Sequence, residues 1–193
     1  MMAFLIDLLV LTVKNPSAAA QRIAAMNLSR EDGWSALALG AILNTFLYYL
    51  NLALFPVPPD FPIPVIQGPF IFLTLALSFN VILVFGLFWC GKIVGGTGQL
   101  TTLVSVIAWL MLALVAGDIL SVLLLFLMPL FSSLISLGIK LYAIWVLLNF
   151  IKVAHGLPSI GASVFTLALT VVGMIMGMSV FLSFMGVTAI GIN

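Results

Sequence analysis

Charge is what this chain has least of. Six Lys or Arg and five Asp or Glu make up 6% of its 193 residues, while 64% are hydrophobic. A soluble domain carries about 25% charged residues, so a surface this poor in charge cannot be kept in water. With a mean hydropathy of +1.39, the chain reads as an integral membrane protein whose solvent is mostly lipid. Cysteine is nearly as scarce. Cys90 stands alone, which excludes an internal disulfide and a cysteine-built metal cage. Histidine occurs once, at His155, and there is no H-E-x-x-H, so a zinc protease is excluded as well. A net charge of +1 with no basic run gives nucleic acid nothing to hold.

What remains are long apolar runs. Their lengths predict an all-α protein with five transmembrane helices at about 34–55, 69–91, 100–127, 132–152 and 160–186. The third is expected to bend or break at Gly117-Asp118. Lys14, Arg22 and Arg30 precede the first span, Lys92 follows the second, and Lys152 follows the fourth. The loop at 56–68 carries Asp60 and no cation. Five spans with a cytoplasmic N-terminus put every basic loop inside and the C-terminus on the opposite side. Five prolines, Pro56, Pro58, Pro59, Pro62 and Pro64, predict that the 56–68 loop is a stiff polyproline-like strap.

Residues 1–32 form a separate cytoplasmic-side segment, and 33–193 form the membrane domain. MMAFLIDLLVLTV is apolar, but no cation precedes it and no small-residue cleavage site follows, so a signal peptide is not the reading. Thirteen residues span about 20 Å as a helix, short of a hydrocarbon core of roughly 30 Å, which suits an interfacial helix. Asn15 is placed to cap a second short helix with Pro16 at its first position, and Ser29 to cap a turn carrying Glu31 and Asp32.

Gly86-Leu-Phe-Trp-Cys-Gly91-Lys92 fits the spacing of a phosphate-binding loop. Ile93 stands where that loop needs Ser or Thr for magnesium, and the residues between the glycines belong to a membrane span. The segment is better read as a hairpin: Gly95, Gly96 and Gly98 take positive φ, and Lys92 sits at the headgroups. No nucleotide, cofactor or metal is expected, and no catalytic residue. Gly161-Ala162-Ser163 lacks the closing glycine of a hydrolase elbow. His155, beside Lys152, reads as an inner-loop residue without partners.

Polar residues inside the spans mark the candidate interaction sites. Asp118 lies about 28 Å up the third span and Lys140 about 18 Å from Lys152 on the fourth, so the two are placed to pair near the outer leaflet. Gly40, Asn44 and Asn51 stripe the first span. Ser163, Thr166, Thr170, Gly173 and Gly177 form a small-residue seam on the fifth that ends in G-x-x-x-G. The asparagines need hydrogen-bond partners in lipid and should face the bundle. Such faces serve packing, self-association or contact with other membrane proteins.

The layout resembles the Yip-one domain family of polytopic membrane proteins, named for interaction with Ypt/Rab GTPases, and most of all its bacterial branch. The likeness rests on Lys14-Asn15-Pro16-Ser17-Ala18-Ala19 with Arg22 and a Trp-led first span, and on Gly95-Gly96-Thr97-Gly98-Gln99 after a lysine. It extends to Ile144-Trp145 and to Lys152-Val153-Ala154-His155-Gly156-Leu157. The resemblance implies five spans, a cytoplasmic N-terminus, residence in the bacterial cytoplasmic membrane, and a non-enzymatic role as a scaffold, membrane-organising factor or accessory subunit. The eukaryotic Asp-Leu-Tyr-Gly-Pro signature is replaced by Glu31-Asp32-Gly33-Trp34. The Gly-Tyr pair and proline of the third span are absent around Ala108-Trp109-Leu110, and both departures count against Rab binding. The alternative is a small transporter or channel with a polar path around Asp118, Lys140, Asn44 and Asn51.

Overall fold

The computed structural model describes residues 2–56 and 68–184. The proline strap falls almost wholly outside the described residues, as does the C-terminal tail. Among the described residues the chain forms seven helices and no strand: α1 (Met2–Lys14), α2 (Pro16–Ala25), α3 (Arg30–Leu54), α4 (Pro69–Ile93), α5 (Leu100–Leu127), α6 (Pro129–His155) and α7 (Ile160–Phe184). Five of them, α3 to α7, are long and apolar enough to cross a membrane. At 1.5 Å per residue, the 28 residues of α5 reach about 42 Å, roughly 12 Å more than a hydrocarbon core.

The starts and stops follow local chemistry. Asn15 caps α2 by accepting from the Ala18 amide, with Pro16 at the first helical position, where its missing N–H costs nothing. Ser29 accepts from the Asp32 amide, and the helix it opens runs straight into the first span rather than ending after a turn. α5 continues unbroken through Gly117-Asp118. Gly117 serves contact rather than bending, since a Cβ there would lie 3.1 Å from Ile139 on α6. At the end of α6, Gly156 turns left-handed (φ 65°) and the Leu157 amide returns to the Lys152 carbonyl, a Schellman stop.

α5 is the helix on which the others lean. α3 and α6 both pack along it and have little contact with each other, while α7 rests on α4 and α6. Gly33 faces Val104 and, seven residues further on both helices, Gly40 faces Met111, so α3 and α5 run side by side in fixed register. Packing is uneven along the bundle. Toward the end that carries Arg30, Lys92 and Lys152, hereafter the basic end, Leu103, Val104, Val106, Phe150 and Ile151 are fully buried. Toward the far end, Leu123, Phe126, Leu127, Leu130 and Phe131 lie exposed on the apolar α5–α6 hairpin.

α1 and α2 form a helical hairpin against the basic half of α5 and α6. Thr12 Oγ1 accepts from Trp109 Nε1 at 2.9 Å, Tyr142 donates to the Val13 carbonyl at 2.7 Å, and Ser17 donates to Asn149 at 2.7 Å. Arg22 pairs with Asp7 across the hairpin and lies over the Phe4 ring. Leu8 and Thr12 turn inward, while Met2, Phe4, Ile6, Val10 and Val13 remain exposed. Replacing Thr12 by Val leaves the Trp109 indole without its acceptor. The expected cost is about 1 kcal/mol, read as a lower unfolding midpoint in detergent and faster proteolysis of α1; an unchanged midpoint and rate would show that the hairpin is held otherwise.

Candidate functional site

Two places gather the polar residues of the spans. The larger is a cavity of about 660 Å³ with α5 at its back and α3 and α6 as walls, in the far half of the bundle. Its lining includes Asn44, Asn51, Asp118, Ser121, Ser136 and Lys140. Lys140 Nζ lies 3.5 Å from Asp118 Oδ1, with the lysine side chain 62% exposed and the aspartate 24%. That separation exceeds the 2.7–2.9 Å or so of a tight charge-assisted bond, so the pair is loose. Ser121 Oγ donates to the Gly117 carbonyl, and Ser132 Oγ donates to the Ser121 carbonyl, fastening α6 to α5 at the cavity's edge. The partners expected for Asn44 and Asn51 are not found: neither carboxamide makes a hydrogen bond among the described residues. They line the cavity instead. Toward the basic end the cavity gives way to close packing, with Gly40 against Met111 and Gly33 against Val104.

The second place is the surroundings of His155. It is the last residue of α6, not a loop residue, and is 1% exposed. A Cβ on Gly96 or Gly98 would come within 2.8–2.9 Å of its Cβ or Cα, and one on Gly91 would strike its ring. The Thr97 amide donates to the His155 carbonyl at 2.9 Å, sewing the α4–α5 hairpin to the end of α6. Only Gly95 of the hairpin has positive φ, at 99°. Gly96 and Gly98 are therefore needed for space rather than for φ. Neither ring nitrogen of His155 makes a well-aligned hydrogen bond among the described residues, although the Leu87 backbone lies within reach of the ring. Lys92 lies over the Phe88 ring at 4.9 Å, and Lys152 sits one turn before the α6 stop.

The seam on α7 divides in two. Ser163, Thr166 and Thr170 are buried, and Thr170 fills the space that Gly86 leaves on α4. Thr166 and Thr170 donate back to the carbonyls of Ala162 and Thr166, while Ser163 Oγ is buried without a partner among the described residues. Gly173 and Gly177 face open space. Cys90 is half-buried and free. Among the described residues no cluster of His, Cys, Asp and Glu is arranged to hold a metal.

A Yip1 domain family model matches residues 10–181, from the middle of α1 to the far half of α7. This chain belongs to the Yip1 domain family. No curated protein and no solved structure matches it. Of the motifs that carried the resemblance, the Gly-Gly-Thr-Gly turn and the Lys-Val-Ala-His-Gly-Leu stop meet at one joint of the Yip1 domain, because His155 needs the glycines around it. Sequence spacing gave no signal of this meeting, since the two motifs lie more than fifty residues apart. Replacing Gly91 by Ala should lower stability by about 1–3 kcal/mol through overpacking. Combining it with His155→Ala should recover part of that loss in detergent unfolding; a purely additive pair would contradict the contact.

Proposed function

We propose that this Yip1-domain protein is a non-catalytic organiser of the membrane it spans, acting on one leaflet through α1 and α2. The observation that carries the reading is the placement of the α1–α2 hairpin. Trp109 and Tyr142 hold the end of α1 about 14 and 20 Å from the basic ends of α5 and α6. With the α5 excess of about 12 Å set at the basic end, the elbow lies roughly 2–8 Å inside the headgroup–acyl boundary, the depth of an interfacial helix. The exposed Met2, Ile6 and Val10, on one face of α1, then enter the acyl region of that leaflet alone. A bundle broadened in one leaflet favours membrane curved toward that side. The positive-inside rule puts the broad side in the cytoplasm, in a bacterial cell at the cytoplasmic membrane.

A second reading rests on α7. The open Gly173 and Gly177 offer close approach to a helix of another membrane protein, which suits an accessory subunit or scaffold. The transporter alternative is less well supported, because the cavity's polar lining gives way to the packed Gly33–Val104 and Gly40–Met111 contacts.

The test is curvature sorting of labelled protein between narrow tubules and flat membrane drawn from the same vesicle. The parent should concentrate in the tubules, and Met2→Ser with Ile6→Ser and Val10→Ser should abolish the preference without unfolding the bundle, because all three are exposed. Equal partitioning of the parent would contradict the reading. Sorting that survives the triple variant and is lost in Gly177→Leu would transfer the role to α7.

A further inference from the structure

The far-half cavity combines features that packing alone does not require. It is open between α3 and α6, which have little contact with each other, so its mouth faces lipid rather than the interior of the bundle. Its polar lining holds one cation and one anion in a loose pair. The Lys140 ammonium has three donors, and Asp118 is its only charged partner among the described residues. Asp118 brings a second carboxylate oxygen with no hydrogen bond among the described residues. Asn44 and Asn51, two turns apart on α3, add two unspent carboxamides. Around these groups the walls are apolar, formed by Leu47, Leu52, Leu125 and Leu137.

The depth is equally specific. Asp118 lies nine residues, about 14 Å, from the far end of α5, and Lys140 eleven residues, about 16 Å, from the start of α6. Ionisable groups at such depth are costly unless they meet a partner or a polar cavity. Inorganic ions would satisfy one charge and leave the leucines facing water. A partner's membrane helix, some 10 Å across, would need a groove along the whole span, and this one stops where Gly40 closes on Met111. An amphiphile with both signs of charge in its head meets every feature together.

We propose that the cavity is a binding site for a zwitterionic phospholipid, its ammonium group on Asp118, its phosphate on Lys140, Asn44 and Asn51, and its acyl chains leaving between α3 and α6. The volume of about 660 Å³ lies within the range of small-ligand sites, about 300–1,000 Å³, and suits a headgroup with its glycerol rather than a whole lipid. The site is independent of the α1–α2 hairpin, so it stands or falls separately from the curvature reading.

The experiment is native mass spectrometry of the full chain in detergent, titrated with phosphatidylethanolamine or with phosphatidylglycerol, which carries the phosphate without the ammonium. Phosphatidylethanolamine should be retained preferentially. Lys140→Met and Asp118→Asn should each weaken its retention about tenfold, the loss expected of a charge-assisted hydrogen bond. Lys140→Arg should keep it, and so should Lys152→Met, which removes a cation at the other end of α6. Should Asp118→Asn fail to fold, Asn44→Leu with Asn51→Leu provides the same reading through the carboxamides. Equal retention of the two lipids, or undiminished retention by Lys140→Met, would overturn the proposal. Displacement of the lipid by soluble glycerophosphoethanolamine at equal concentration would also overturn it, by showing a site for polar solutes rather than lipid.

Discussion

In a bilayer, a helix gains no hydrophobic energy by turning an apolar face to its neighbour instead of to lipid. Helices must therefore be held by close approach and by hydrogen bonds, and this fold depends on how few such contacts it has. α5 supplies the back for most of them. Gly33 and Gly40 bring α3 against it, Gly117 lets Ile139 of α6 approach, and Ser132 ties α6 to its far end. At the basic end the same principle operates through His155 and the glycines that surround it. Where close approach ceases, in the far half, α3 and α6 part and a polar cavity opens between them.

That division explains why the two ends of the bundle differ in character. The basic end is closed by side chains that fit one another, and α1 and α2 add a further layer there. The far end presents bulky apolar side chains to lipid, with Asp118 and Lys140 set some way below it. The proposed work of the protein follows the same division, with leaflet-specific insertion at the closed end and amphiphile binding at the open one.

Much of this was legible in the sequence, for reasons that are local. Five apolar runs give five spans, Asn15-Pro16 gives the start of α2, and the spacing of Asp118 and Lys140 along their helices puts them at one level. The rest depends on contacts between distant segments. Thr12 and Trp109 are 97 residues apart, so nothing in the α1 pattern reveals its place against α5. His155 read as a loop residue because the glycines that bury it belong to another hairpin. Asn44 and Asn51 were expected to find partners, but the gap between α3 and α6 leaves them facing a cavity. The α7 seam is one stripe in sequence, yet it divides where α7 rises past its packing on α4.

The central claim is that the polar groups of the far half are reached from lipid, through the gap between α3 and α6, and are sealed from the basic end by the packed α3–α5 contact. A nitroxide scan along α5, attached to single cysteines in a Cys90→Ser background reconstituted in vesicles, tests it with lipid-soluble oxygen and a water-soluble nickel chelate as collision partners. The account predicts more frequent collision with oxygen than with the chelate at Ser121 and Val122, and little with either at Val106 or Ala108, which are fully buried. Collision with the chelate continuing along α5 from the Lys92 face to Ser121 would reveal an aqueous through path and contradict it.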